Sequence, residues 1–321
     1  MPRLHQLDLS FNNIESLPIL PRSLSILKIS NNQLSQFPSS FEGLPYLIQV
    51  DFSVNKIVHL PALPISVQSV WLNDNLIEEV EGSETPDLAE VTLARNRLRE
   101  IPSFIGNQLI NLYCQNCLLE SVSSTAFSDQ IVRIDLTGNH LTDLPPQISD
   151  LKNLLQLILR RNNFTDIRFL ENLAIEYLDI SENPIEIFPQ KLPLTLEHLD
   201  VSFCDLQEFP FDLQDHLELV VFRAIGNQLT SIQCLPHLLQ ISLAKNQFQT
   251  FPSLPLTVED IDLSFNPIAE FPPSIHYPEL KKLNLSYTNI TTIPPSISCP
   301  ELEHLNVTGT PLSDFDDVRL F

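Results

Sequence analysis

The sequence predicts an α/β solenoid of stacked strand-and-turn units, with a parallel sheet along its inner side and extended or single-turn 3-10 segments, with little regular helix, along the other. Three observations carry this expectation. The pattern LxxLxLxxNxL returns fifteen times between Leu4 and Leu302, at intervals of 19 to 23 residues, and a fixed period of this length marks supersecondary units that bury their faces against one another. Asparagine holds the ninth place in eleven of the fifteen repeats. Prolines recur just after the strand-and-turn segment, at Pro18, Pro38, Pro61, Pro102, Pro145, Pro189, Pro210, Pro272 and Pro294, where a missing donor and a fixed φ suit an extended chain.

Taken in order, the repeats begin at Leu4, Leu24, Leu47, Val67, Leu88, Leu109, Ile131, Leu154, Ile175, Leu196, Leu219, Leu238, Val258, Leu280 and Leu302. Each opens with a short alternating strand. Successive side chains of a strand point to opposite faces, so the third and fifth places of every repeat look away from the core, onto the exposed surface of the sheet. The turn that follows is buried between coils, and its N–H and C=O groups need partners. An amide side chain supplies donors and an acceptor together. Asn12, Asn32, Asn55, Asn75, Asn96, Asn139, Asn162, Asn183, Asn227, Asn246 and Asn266 fill that role at the ninth place, and Cys117, Cys204, Thr288 and Thr310 stand there in the other four repeats.

Copies such as Leu4-Leu7-Leu9-Asn12-Ile14, Leu24-Leu27-Ile29-Asn32-Leu34, Leu88-Val91-Leu93-Asn96-Leu98 and Val258-Ile261-Leu263-Asn266-Ile268 resemble the leucine-rich repeat family, over nearly all of the chain. The resemblance implies a right-handed horseshoe, a single domain over 1–321, and a protein that binds other proteins through its concave face. The family pattern admits cysteine at the ninth place and commonly carries aspartate at the fifth, which assigns Asp8, Asp135 and Asp262 to the framework. Segments 18–24, 61–67 and 252–258 are similar to the short repeats of bacterial effectors. Segments 145–151 and 294–297 are similar to eukaryotic intracellular scaffolds that bind small GTPases and phosphatase subunits. In longer relatives such arrays regulate an attached kinase, cyclase, ubiquitin ligase or phosphatase, so a regulatory segment of a larger signalling enzyme is the alternative to a scaffold.

Composition excludes several function classes. A net charge of −22 opposes nucleic acid and anionic membranes, both of which require clustered cations. No apolar stretch approaches the roughly 20 residues that span a bilayer, and Met1 leads straight into the first repeat without a leader pattern. Cys114 and Cys117 form a CxxC, but the repeat assigns one to a core position and the other to the buried ladder, and a zinc site lacks its second ligand pair. Five cysteines without a terminal framework, and glycosylation sequons at Asn284 and Asn306 on the sheet itself, point to the cytoplasm; further sequons lie at Asn163 and Asn289. Catalytic signatures are missing: GxSxG, HExxH and GxxxxGK[ST] do not occur, and the eight dispersed histidines read as solvated surface groups. Asp314, Asp316 and Asp317 lack the glycine and glutamate of a calcium loop, which leaves them a capping or tail role. No enzyme activity, metal or cofactor is expected.

The fifth-place column departs from its acidic filler at Trp71, Tyr113 and Ile158; Tyr177 stands in the third column and Phe203 in a strand-end turn, and Arg95 and Arg133 hold outward positions nearby. The register exposes Trp71, the chain's one tryptophan. Arg160, Arg161 and Arg223 lie nearby, and eight of the eighteen basic residues fall between Arg95 and Arg168. Aromatic and arginine side chains are enriched at protein interface hot spots. Trp71, Tyr113, Arg133, Ile158, Arg160, Arg161, Tyr177, Phe203 and Arg223 are therefore the candidate partner-binding residues; a phosphate or acidic-peptide pocket at Arg160 and Arg161, and a scatter of unrelated side chains, are the competing readings. The partner classes implied are a small GTPase, a phosphatase or a kinase. An uncapped first coil at Leu4 points to a longer protein, or to a partner or second copy covering that edge.

Overall fold

Alternation sets the strands, and in the computed structural model each strand of the main ladder is three residues long with its middle residue facing inward. The structure describes residues 3–81, 85–101, 108–209, 213–233, 235–272, 275–294 and 297–313; Pro102, Pro210, Cys234, Asp314, Asp316 and Asp317 lie outside them. The architecture is a parallel-strand solenoid with almost no helix: among the described residues only the 3-10 turns Pro146–Asp150 and Arg168–Asn172 are helical.

Two compact units divide the chain, Met1–Phe164 and Thr165–Phe321. In the first, the strands Gln6–Asp8, Ile26–Lys28, Gln49–Asp51, Ser69–Trp71, Glu90–Thr92, Asn111–Tyr113, Arg133–Asp135 and Gln156–Ile158 pair in parallel, each with the next. Their register aligns Leu7, Leu27, Val50, Val70, Val91, Leu112, Ile134 and Leu157 in one inward row. In the second unit Tyr177–Asp179, His198–Asp200, Val221–Arg223, Gln240–Ser242, Asp260–Asp262, Lys282–Asn284 and His304–Asn306 do the same, aligning Leu178, Leu199, Phe222, Ile241, Ile261, Leu283 and Leu305. Every middle residue except Leu7 and Leu305 is buried. Truncating one of these, such as Leu27 or Leu112, removes a side chain with no solvent exposure and costs about 2–5 kcal/mol.

The ladder residues tie neighbouring coils together. Asn55 Nδ2 donates to Phe52 O of its own turn (3.0 Å) and to Ile29 O of the preceding coil (3.1 Å), while its Oδ1 accepts from Leu34 N (2.9 Å). Asn75, Asn96, Asn139 and Asn162 in the first unit, and Asn246 and Asn266 in the second, repeat the arrangement. Cys117 and Cys204 reach back one coil through sulfur, to Leu93 O (3.2 Å) and Ile180 O (3.4 Å). Thr288 and Thr310 donate within their own turns, to Leu285 O and Val307 O. The residue just before the ladder, at the eighth place, adopts left-handed φ in every repeat, from Phe11 (58°) to Gly309 (72°).

One expectation is overturned. His216 is 3 % exposed rather than solvated. The residue three before the start of a repeat closes a turn by accepting the first residue's N–H, as Leu44 O does from Leu47 and His216 O from Leu219. That turn carries its side chain inward, so His216 shares a buried column with Leu44, Leu235 and Cys299.

Cys114, Cys117, Cys204 and Cys299 are buried free thiols. Burial drives the Cys117 thiol up to about 11 and Cys204 up to about 12, and raises Cys114 strongly. These thiols hold their protons in the folded state, so their contribution to stability is complete below the unfolded value of about 8.5 and is lost as pH rises from there toward the folded values. The urea midpoint is expected to fall between about pH 8 and 10.5, and to fall less in Cys204→Ala, with Cys204 resisting iodoacetamide at about pH 8 until the chain unfolds. Replacing Asn139 by Leu is expected to lower the unfolding free energy by about 1–3 kcal/mol in urea titrations, because it strands buried carbonyl and amide groups on two coils. Asn12→Leu is expected to cost less, since Asn12 is exposed and donates within its own turn.

Candidate functional site

On the exposed sheet face of the first unit, strands pair so that Trp71, Thr92, Tyr113 and Asp135 stand side by side at the fifth place. Trp71 is half-buried rather than exposed, because its indole leans across to the next strand and donates to Glu90 Oε1 at 3.3 Å. The Arg133 guanidinium lies over the Tyr113 ring, 5.4 Å from its centroid, and Nη1 donates to Gln156 Oε1 at 3.1 Å. Asp135 is nearly buried and committed to the framework: Oδ1 accepts from Thr137 N (3.1 Å) and Oγ1 (2.7 Å), and Oδ2 accepts from Gln115 Nε2 (2.8 Å). The same fifth-to-seventh contact recurs at Asp8, Asp51, Asp179, Asp200 and Asp262. At Asp8 the Ser10 backbone N–H, then the Ser10 hydroxyl, hold the carboxyl below its ordinary value.

Two buried polar atoms in this cluster have no hydrogen-bond partner, Thr92 Oγ1 and Arg133 Nε. An open groove of about 580 Å³ runs over Thr92, between Glu90, Tyr113, Gln115 and Asp135. Buried donors and acceptors are paired in the great majority of native structures; of these two exceptions Thr92 lines the groove, and Arg133 stands beside it over the Tyr113 ring. Ile158 is half-buried on the neighbouring strand, and Arg160 and Arg161 are exposed beyond its end. Arg95 stands apart from them, forked onto Asp74 at 2.5 Å, a bond that raises its guanidinium above the ordinary value.

In the second unit Tyr177 stacks on His198 with centroids 5.6 Å apart, and Arg223 lies opposite Asp200 in register. Phe203 is off the sheet, at a left-handed eighth place, with 46 % of its surface exposed. It belongs with three residues the sequence alone did not single out: Lys245, Phe265 and Tyr287 occupy the same place in later repeats. The column preceding each ladder residue was readable from the same register. Asn284 and Asn306, the sequon asparagines, end strands on the exposed face.

Among the described residues no three histidine, cysteine or acidic side chains converge in the manner of a metal site. No helix among them is long and apolar enough to cross a membrane.

Family models for leucine-rich repeats match residues 23–44, 193–207 and 278–319. A chicken Toll-like receptor 2 type-1 (Gallus gallus) is 28 % identical over 194 residues, which is 55 % of this chain and 24 % of the receptor. The chain spans between about a quarter and about half the length of the curated relatives it matches. Among solved structures, a leucine-rich repeat protein of Leptospira interrogans superposes with a TM-score of 0.85 at 24 % identity, over 97 % of this chain and 92 % of that one. The plant peptide hormone receptor RGFR1, solved in complex with RGF2, superposes at 0.59 with 18 % identity, over 96 % of this chain and 63 % of the receptor. At these identities the likeness is one of fold. The recurrent motif, the parallel ladder it builds and the repeat models that match it make this chain a leucine-rich repeat solenoid.

Proposed function

We propose that the chain is a non-catalytic protein-binding module whose partner docks on the exposed sheet face of the first unit, around Trp71, Tyr113, Arg133, Ile158, Arg160 and Arg161. The observation that carries this reading is the Tyr113–Arg133 pair beside the orphaned Thr92 hydroxyl and Arg133 Nε. A rigid ring, a guanidinium already held in place and two unmet polar atoms form a preorganised contact, because little ordering remains to oppose association. A peptide hormone receptor of the same fold is solved in complex with RGF2, which supports protein or peptide recognition as a use of such a fold. Buried free thiols at core and ladder positions support a cytoplasmic setting, where glutathione keeps cysteines reduced. A small GTPase, phosphatase or kinase remains the partner class inferred from the scaffold-like repeats.

Affinity capture from the native cell, quantified by mass spectrometry, tests the face. Recovery of a specific partner is expected to fall at least about tenfold for the combined variant Trp71→Ala, Tyr113→Ala, Arg160→Glu, which removes two hot-spot side chains and inverts one charge. Unchanged recovery discards the patch. Thr92→Val is expected to leave the unfolding midpoint level or raised, since it deletes an unpaired buried hydroxyl, while weakening partner retention.

A further inference from the structure

Left-handed φ at the eighth place favours glycine, asparagine and aspartate, and Asn31, Asp74, Asn116, Gly138, Gly226 and Gly309 conform. In the second unit Phe203, Lys245, Phe265 and Tyr287 do not, nor does Glu182, and in the first Phe11, Val54, Arg95 and Arg161 depart likewise. The rings of Phe203, Phe265 and Tyr287 are about half exposed, at 46 %, 48 % and 54 %, so neither backbone preference nor core burial accounts for them. The left-handed angle belongs to every repeat, so what sets Phe203, Lys245, Phe265 and Tyr287 apart is the identity of their side chains and the contact they make with one another.

The four side chains form one continuous strip. Phe265 and Tyr287 stack face to face, 4.5 Å between centroids and 15° from parallel. The Lys245 ammonium sits 5.8 Å from the Phe265 centroid and 5.9 Å from that of Phe203. Phe203 lies over Gly226 and Tyr287 over Gly309; a Cβ on either glycine would meet the ring at 2.2 Å and 2.7 Å. The two glycines are therefore seats on which the rings lie down across a coil.

We propose that this ridge is a docking site for an uncharged, proline-rich segment of a partner protein, held in polyproline II conformation. Charge on the strip narrows the occupant. The seventh-place residues flanking it, Ser202, Ile225, Ala244, Ser264 and Ser286, are uncharged, and the tenth place on the other side carries Asp205 alone among Gln228, Gln247, Pro267 and Asn289. A cationic segment meets Lys245 and almost no counter-ion. An acidic segment, or a second copy of this chain, is repelled by a net charge of −22. The Phe265 faces are taken by Tyr287 and Lys245, which leaves ring edges, and positive ring edges suit the carbonyl oxygens of a backbone without its own N–H donors. Pitch fits as well. A polyproline II turn advances about 9.3 Å, three residues at 3.1 Å, and two coils of a parallel ladder advance about 9.6 Å, so successive turns meet the ridge in the same phase. Aromatic-lined surfaces recognise such preformed segments at low entropic cost.

The ridge stands on its own geometry and does not depend on the sheet-face site. Titration of the isotope-labelled protein with capped decaproline, followed by amide NMR, is expected to give saturable shifts at the turns of Phe203, Lys245, Phe265 and Tyr287, with a capped Gly-Ser decapeptide giving none. Affinity is expected to change less than about twofold between about 50 and 500 mM NaCl, as an uncharged contact requires. In Phe203→Asn, Phe265→Asn, Tyr287→Asn combined, affinity is expected to fall at least about tenfold while the thermal midpoint holds or rises, because asparagine tolerates this backbone. Absence of saturable decaproline shifts overturns the proposal. So do shifts that persist in the triple variant, a lowered midpoint with unchanged affinity, which would make the rings purely structural, or ridge shifts produced by neutral phosphatidylcholine vesicles in place of the peptide.

Discussion

The constraint on which the rest depends is the double duty of the ladder asparagines within the stack. One side chain closes its own turn and satisfies groups of the coil behind it, as Asn75 does through Leu72 O, Phe52 O and Ile57 N. The distance between successive strand-turn segments is thereby fixed at what an amide can bridge. Length variation is pushed to the other side of the coil. Repeats range from 19 to 23 residues, yet within each unit the strands meet one to one with no slip in register. The short bridges away from the main ladder, such as His59–Leu60 with Glu79–Val80 and Ile275–His276 with Ile297–Ser298, are local and irregular by comparison.

The same geometry explains how the chain tolerates so much acid. Fifth-place aspartates are spent on seventh-place N–H groups, and several basic side chains are spent on acids one coil away. Arg95, Arg97 and Arg99 pair in this way with Asp74, Glu78 and Glu120, while Arg168 pairs with Asp166 two residues before it in its own coil. Exposed pairs of this kind add little stability each. Their consequence is for recognition: the cluster of cations between Arg95 and Arg168 is less available than its composition implies, and Arg133 acts through a ring and an amide as much as through charge.

Most of the architecture was legible because it is one-dimensional. Repeat starts, inward rows and ladder residues all follow from a single register, and a strand end such as Tyr113 or Ile158 could be assigned by counting. What escaped counting depends on neighbours. The half-burial of Trp71 comes from its reach to Glu90 on another strand, and the burial of His216 from a turn that precedes its repeat. Phe265 and Tyr287 were countable, but their meaning lies in stacking across two repeats and in a glycine one coil on, a relation visible only when coils are laid side by side.

The recurrent left-handed residue has a wider consequence. Because its backbone angle repeats at every coil and its side chain leaves the core behind, it behaves as a row of letters set on a fixed line of type, some of them paired, as a ring is with the glycine beside it. Substitutions there need not disturb the leucines beneath. Such a row can be rewritten a character or a pair at a time while the line it stands on keeps its place.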